Sequence, residues 1–469
     1  MSSKLVDSPW KMKMVKEIMK ILPKFSTENL VKMATLAEKI TTDEDLKRKA
    51  RGMREFFATG HPSVLLAKNI IKRLSPQCRD RFIQNFFLNE SLLGSTLRAK
   101  ICQEEGFEPP YFIVISPTMR CNLNCYGCYA GEYEHSFGLE FETVDRILTD
   151  AKELAIYFVT ISGGEPFVRK DLLDLYEKHN DIFFQIYTNG TLIDQQMAKR
   201  LARLGNVAPV ISIEGFEEET DKRRGKGVFR KTMEAMDFLN EEGVIFGGSI
   251  TVTKENIETV SSEKMIDLLI EKGAMLIWYF QYIPIGREPQ IQLMPTPQQR
   301  DELRKRINYL RAIKPIFIGD FWNDGPHVDG CIAGGRKYLH INANGDVEPC
   351  VFTHFAVDNI KQKSLKQVSN SPFFRAIRAK QPYSRNLLTP CMIIDEPSVL
   401  REVVNKFNAY PTHPGAETVV TTLADDLDEY SSTYHQIADK IWEEEWAGKR
   451  CYLLAEEKYR AQKMESVDN

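Results

Sequence analysis

Residues 111–133 read YFIVISPTMRCNLNCYGCYAGEY. The segment opens on an apolar run, YFIVIS (111–116), and leads straight into Cys121, Cys125 and Cys128, spaced CxxxCxxC. Just before it, Pro109-Pro110 breaks the chain and marks a boundary. After it, short apolar runs recur: IYFVTIS (156–162), FFQIYT (183–188), APVISI (208–213), GSITVT (248–253) and LIWYFQYIP (276–284). Stretches with helical spacing lie between them, for example 142–155 and 228–242. Six strands separated by helices predict βα units and a parallel sheet. Their continuous apolar character is that of strands buried on both faces.

Six units make most of a barrel, short of the eight that close one. The expected fold class is therefore α/β, a partial (β/α)6 TIM-like barrel over 108–315. Residues 1–107 read as a helical region. Apolar residues recur at helical spacing from Trp10 through Met14, Val15, Ile18, Met19 and Leu22, and 28–38, 62–74 and 80–101 also read as helices. After Pro315 the βα rhythm stops. Residues 316–395 are loop-rich and carry Cys331, Cys350 and Cys391, and 396–469 return to helices. From Gly415 onward there are 13 acids and 6 bases, the pattern of a solvated acidic helical surface.

Composition excludes several classes. The chain has 469 residues, 43% hydrophobic and 27% charged, with a net charge of −3. Disorder, collagen and a disulfide-stapled miniprotein are ruled out. Near-neutral charge argues against nucleic acid as a partner. No apolar run reaches the roughly 18 residues that a bilayer requires. Lys11, Lys13, Lys16 and Lys20 interrupt every apolar stretch that could serve as a signal peptide. The expected location is cytoplasmic. An odd cysteine count, nine, points to thiolate ligands or buried thiols rather than a disulfide framework.

The three-cysteine loop follows the first strand, at the carboxyl end of the sheet, where barrels place their active sites. Three thiolates on one loop suit three irons of a [4Fe–4S] cluster. The fourth iron then lacks a nearby protein ligand, and an open position marks a catalytic metal. The alternative is structural zinc, with a fourth ligand such as His135. The usual paired knuckles of zinc sites are missing from this loop. Ser162-Gly163-Gly164-Glu165-Pro166 follows the second strand. Its glycines permit close backbone approach, and a carboxylate there can pair with an ammonium. Thr188-Asn189-Gly190 ends the third strand, Ser212-Ile213-Glu214-Gly215 the fourth, and Thr253 the fifth. Arg224-Gly225-Lys226-Gly227 follows the fourth.

In these motifs, over roughly 111–290, the chain resembles the radical S-adenosylmethionine (radical SAM) superfamily. The resemblance implies a [4Fe–4S] cluster on Cys121, Cys125 and Cys128, and S-adenosylmethionine bound beside it. Gly163, Gly164 and Glu165 would meet the methionine amino group. Thr188, Asn189, Ser212, Glu214, Arg224 and Thr253 would line the rest of the cofactor site. Glu214 departs mildly from the aspartate common in the family. Gly127 stands where an aromatic residue often shields the adenine, which leaves Tyr126 or Tyr129 as substitutes. The implied activity is reductive cleavage to a 5′-deoxyadenosyl radical that takes a hydrogen atom from a substrate. A reductase, flavodoxin or ferredoxin would donate the electron. The other class of function is a non-catalytic iron–sulfur or zinc protein on a degenerate version of this scaffold.

Cys331 begins CIAGGRKYLHINANGDVEPC, which ends at Cys350. Asn342-Ala343-Asn344-Gly345-Asp346 reads as a hairpin turn. The G-x4-C spacing of Gly345 and Cys350, with Cys391 following, resembles the SPASM/twitch extension of radical SAM enzymes. The resemblance implies one auxiliary [4Fe–4S] cluster on Cys331, Cys350 and Cys391. His327, His340, His354 and Asp395 are candidates for a fourth ligand. Buried apolar thiols are the alternative for this set, and the expected state of Cys78, Cys102 and Cys451. Residues 1–24 carry six bases and two acids. Residues 10–22 read as a basic amphipathic helix, suited either to an anionic membrane surface or to packing on protein. The membrane reading would make the substrate a lipid or isoprenoid. Relatives of this type also modify ribosomal peptides, and a small molecule is a third substrate class.

Overall fold

Seven strands lie side by side in chain order, all parallel: β1 (Ile113–Ile115), β2 (Phe158–Ile161), β3 (Phe183–Thr188), β4 (Val207–Ser212), β5 (Gly247–Val252), β6 (Leu276–Gln281) and β7 (Phe317–Asp320). This computed structural model describes residues 24–40, 44–135 and 138–465, together with Lys13, Lys16, Glu17, Met19, Lys20 and Ile21. The expected partial barrel is present, and the six strands read from apolar runs all form. The parallel rhythm runs one strand further than expected. β7 pairs with β6 through Leu276–Phe317 to Tyr279–Asp320, in a segment that had read as loop-rich. The helix Pro297–Ile313 carries the chain to it, started by a capping box between Thr296 and Gln299.

The outward faces of the strands make the core. Ile113, Ile115, Val159, Ile161, Ile186 and Ile211 have no exposed surface. Burying each contributes on the order of 1.5–3 kcal/mol. Helices cover them in the usual βα manner. The helix Gln195–Leu204, for example, is capped by Asp194, whose carboxylate accepts from Met197 N at 2.7 Å. It buries Ala198, Leu201 and Leu204 at helical spacing.

The barrel sheet does not end at β1. β8 (His340–Ile341) runs parallel to β1, with β9 (Asp346–Glu348) antiparallel to β8 and β11 (Asp358–Asn359) antiparallel to β9. β8 and β9 are the expected hairpin. Asn342 Oδ1 accepts from Asn344 N and Asp346 N to close its turn. A separate two-stranded ribbon joins β10 (Phe355–Ala356) to β12 (Tyr410–Pro411).

Helices before β1 include Thr27–Ile40, Pro62–Arg73 and Ser95–Glu105, plus Glu44–Ala58, which apolar spacing did not reveal. Most of 10–22 lies outside the described residues. Lys16 and Lys20 are described and reach Asp80. Cys78 is buried, whereas Cys102 and Cys451 are half-buried, so full burial holds for one of the three. Among the described residues, no helix is long and apolar enough to cross a membrane.

The acidic tail packs through the helix Ala424–Ile441, which buries Leu427, Ser431, Tyr434 and Ala438. On it, His435 sits between Glu396 (3.2 Å) and Asp439 (3.5 Å). Hydrogen bonds to Asp439 and Glu396 push its pKa up to about 10. A histidine raised in the folded state binds its proton more tightly there than in the unfolded chain. The resulting stability is complete below the unfolded value, about 6.5, and is lost as pH rises toward 10. Wild-type chain is therefore expected to lose unfolding free energy between pH 7 and pH 10, and His435→Gln to lose measurably less. Urea titrations at several pH values check this.

Candidate functional site

The carboxyl ends of β1–β6 surround a cavity of about 330 Å³. The loop after β1 crosses its mouth and brings Cys121, Cys125 and Cys128 into the lining together. Asn189 Nδ2 donates to Asn122 Oδ1 at 2.9 Å and approaches Cys121 Sγ at 3.9 Å. Arg287 donates to Cys125 O at 3.1 Å and to Gly131 O at 3.2 Å, bracing the loop from the far side. Burial pushes the Cys121 and Cys128 thiols up, and neighbouring cysteines add to the shift. A positive centre would favour the thiolate forms.

The glycine pair after β2 is stitched to this loop. Gly164 N donates to Thr118 O at 2.9 Å, and Glu165 N to Arg120 O at 2.8 Å. Gly163 takes φ +112°, and a Cβ there would stand 2.3 Å from Thr118 O. Both glycines line the cavity, as expected. Glu165 does not. Its carboxylate turns away, fully buried, and accepts from Thr188 Oγ1 (2.8 Å), Asn189 N (2.7 Å) and Phe167 N (3.0 Å). Glu165 thus positions the end of β3. Burial raises its pKa despite these donors.

Thr188, Asn189 and Ser212 line the cavity. Glu214, 1% exposed, lies behind the wall and holds two arginines, Arg223 at 2.6 Å and Arg224 at 2.8 Å. Both arginines line the cavity. Burial alone would lower Arg224, but the Glu214 charge outweighs it and the pKa is raised. Arg223 was not anticipated beside Arg224. Thr253 also misses the cavity, because it lies past the end of β5 and bonds Asn256 (2.8 and 3.1 Å). Thr251, two residues earlier on the inward face, lines it instead.

Of the two tyrosines flanking Gly127, Tyr129 lines the cavity and Tyr126 does not. The Tyr129 hydroxyl bonds Ser162 Oγ at 2.6 Å, and burial pushes its pKa up to about 12. Gly127 has φ +58°, and a Cβ on it would meet Tyr282 Cε2 at 2.7 Å. The ring of Tyr282, at the end of β6, fills the space that a side chain at 127 would take. Alternation of inward residues along β3, β5 and β6 was the signal that could have found Gln185, Thr251 and Tyr282.

Deeper in the barrel the lining becomes aromatic, with Phe112, Phe158, Trp278, Phe280, Phe321 and Phe352. Beyond Phe321 and Phe352 lies a second cavity, about 150 Å³, lined by Cys331, Cys350 and Cys391. Burial pushes each of these thiols up to about 12. None of the four candidate fourth ligands lines this cavity. His340 bonds Ser116 and Glu348, His354 bonds His413 and Val351 O, and the ring of His327 meets Trp446. Both Asp395 oxygens are taken by Arg300, and one of them also accepts from Cys391 N.

Both thiol triads suit a cubic cluster. Cys121, Cys125 and Cys128 line one cavity and Cys331, Cys350 and Cys391 another. A cluster spreads its thiolates around a body of several atoms. The glycines at 163 and 164 leave backbone, with no side chain, facing the space beside the first triad.

Comparison with known proteins agrees. The family model of the Radical SAM superfamily matches residues 115–266, and that of an iron–sulfur cluster-binding domain, SPASM, matches 331–392. An Fe-coproporphyrin III synthase of Methanosarcina barkeri is 34% identical over 229 residues, 46% of this chain and 57% of that protein. The chain therefore spans little more than half the length of that relative. A PqqA peptide cyclase of Granulibacter bethesdensis is 27% identical over 58% of this chain and 77% of its own. The crystal structure of Streptococcus suis SuiB bound to S-adenosylmethionine superposes with a TM-score of 0.52 at 22% identity, covering 62% of this chain and 72% of that one. At that identity the likeness is one of fold.

Proposed function

Since the chain matches the radical SAM superfamily over 115–266 and its SPASM iron–sulfur extension over 331–392, we propose that it is a radical SAM enzyme that takes a hydrogen atom from an apolar substrate group held in the aromatic part of the barrel cavity. The observation that carries this reading is continuity. One cavity runs from Cys121, Cys125 and Cys128, past Gly163 and Gly164, to Phe112, Phe158 and Trp278. When bound, a [4Fe–4S] cluster and S-adenosylmethionine supply the 5′-deoxyadenosyl radical that abstracts hydrogen. The three cysteines hold the cluster and leave one iron open. Backbone at Gly163 and Gly164 receives the methionine end, with Thr188, Asn189 and Ser212 beside it. Tyr282 and Tyr129 flank the adenosine, and Arg224, held by Glu214, stands beside the site. A flavodoxin or ferredoxin supplies the electron. Cys331, Cys350 and Cys391 hold one auxiliary cluster.

The aromatic end favours an isoprenoid or acyl chain. A carboxylate-rich tetrapyrrole would need cations, and the two arginines in the lining are already committed to Glu214. An apolar side chain of a peptide is the second reading, favoured by the relative named as a peptide cyclase.

Anaerobic reconstitution tests the assignment. Iron and sulfide are expected at about eight each per chain, and dithionite with S-adenosylmethionine is expected to yield 5′-deoxyadenosine. Cys125→Ala should abolish that product and keep the second cluster's absorbance. Continued product from the variant would overturn the site, and zinc in place of iron would favour a non-catalytic binding protein. Deuterated polyprenyl or acyl lipids, tried against deuterated hydrophobic peptides, identify the substrate by deuterium transfer into 5′-deoxyadenosine.

A further inference from the structure

The two cavities share a wall. Trp278, Phe321, Ile332 and Phe352 line both of them. One more residue spans the wall without lining the second cavity. The ring of Tyr338 lines the barrel cavity, stacked on Phe112 with centroids 5.1 Å apart and planes at 13°. Its hydroxyl lies 2.9 Å from Cys350 Sγ. The residue is 1% exposed and is held from behind, with Tyr338 N donating to Ile332 O and Gly335 N to Tyr338 O.

A free cysteine could donate this hydrogen bond. A cysteine bound to iron has lost its proton, so only the phenol can donate. Hydrogen bonds to cluster sulfurs stabilise the more negative, reduced state and raise its potential. We propose that Tyr338 sets the reduction potential of the auxiliary iron–sulfur site, by donating its hydroxyl proton to the Cys350 sulfur from a ring that forms part of the substrate wall. This rests on the reading that Cys331, Cys350 and Cys391 hold a cluster. Tyr338 is a positioning residue, acting on the reaction only through that sulfur.

The wall also separates roles. With aromatic side chains between the chamber and the second thiol triad, a substrate in the chamber is screened from the auxiliary irons. What can pass between them is an electron, and Tyr338 stands in contact with both sides.

The test uses the full chain carrying Cys121→Ala, Cys125→Ala and Cys128→Ala, so that the second site holds the sole cluster. After anaerobic reconstitution its midpoint potential is measured by titration followed by electron paramagnetic resonance. Adding Tyr338→Phe, which keeps the ring, is expected to leave iron and sulfide unchanged and move the midpoint to lower potential. Phe112→Leu, which disturbs the stack but not the hydroxyl, is expected to leave it in place. An equal midpoint in the Tyr338→Phe protein, or an equal shift from Phe112→Leu, would overturn the proposal. If Tyr338→Phe fails to take up iron, electron–nuclear double resonance on the parent in H2O and D2O decides. An exchangeable proton coupled to the reduced cluster supports the assignment, and its absence removes it. A parent chain that binds no iron would overturn both this proposal and the reading of the second triad.

Discussion

Arg300→Met is expected to cost about 3–5 kcal/mol of stability and to empty the second cluster site while sparing the first. Arg300 and Asp395 are both fully buried, with Nη1 2.5 Å and Nη2 3.2 Å from the carboxylate oxygens. The guanidinium also donates to Leu388 O and Asn323 Oδ1, and lies 3.8 Å over the ring of Tyr434. One oxygen of Asp395 accepts from Cys391 N at 2.9 Å. Removing the cation leaves a buried carboxylate without a partner, the costly way to break such a pair. The carboxylate must then protonate or draw in water, and the turn presenting Cys391 moves with it. Calorimetry should report the lost stability, and iron analysis the loss of one cluster's worth of metal. Adding Asp395→Leu should restore much of the stability, because neither charge is then stranded. It should not restore the iron, because the brace on Cys391 is still missing. A stable Arg300→Met chain with full iron would refute this account of the tail and its buried pair.

The second large effect is expected at Gly164. A Cβ there would lie 2.3 Å from Arg120 O and 2.5 Å from Met119 O. Both contacts are backbone, so no side chain can rotate away. Relief requires the strand end and the cysteine loop to separate, breaking the bonds of Gly164 N and Glu165 N to that loop. Cys121 follows Arg120 directly and would be displaced first. Gly164→Ala should therefore lose the first cluster and keep the second, and 5′-deoxyadenosine formation should fall by at least on the order of 100-fold. Iron content per chain and product chromatography check the two parts separately. Wild-type iron at both sites in the variant would mean that the loop yields more easily than this packing allows.

The strands were legible because each is a continuous apolar run, and FFQIYT at 183–188 matches β3 residue for residue. β7 was missed because Phe317–Asp320 contains Gly319 and ends on an acid, so its four residues carry little pattern. It is a strand because β6 offers an open edge, a fact of three dimensions. Helix Glu44–Ala58 is rich in charge, and its apolar face is thin. At the site, Cys121, Cys125, Cys128, both glycines, Thr188, Asn189 and Ser212, all named by local motifs, line one cavity. Glu165, Glu214 and Thr253 were nearby but face elsewhere, because side-chain direction at a strand end depends on which donors are within reach. Asp395 read as a possible ligand because its true partner, Arg300, is 95 residues away in sequence. Tyr338 carries no motif at all, and Tyr282 shows only in the alternation along β6. Their roles come from where the sheet brings them.

The pairing of β8 with β1 has a consequence for how the chain is made. Ser116 bonds His340 across 224 residues of sequence, and β1 has β2 on one edge and β8 on the other. During synthesis the first barrel strand emerges early, yet one of its edges stays bare until the hairpin at 340–348 has left the ribosome. Contacts of such long sequence separation form slowly, and a bare strand edge invites pairing with other chains. The nascent barrel thus passes through a long interval in which its cysteine loop hangs from a half-paired strand. Cluster insertion before that interval ends would meet a loop not yet held in place, so the order of events favours folding first and metal second.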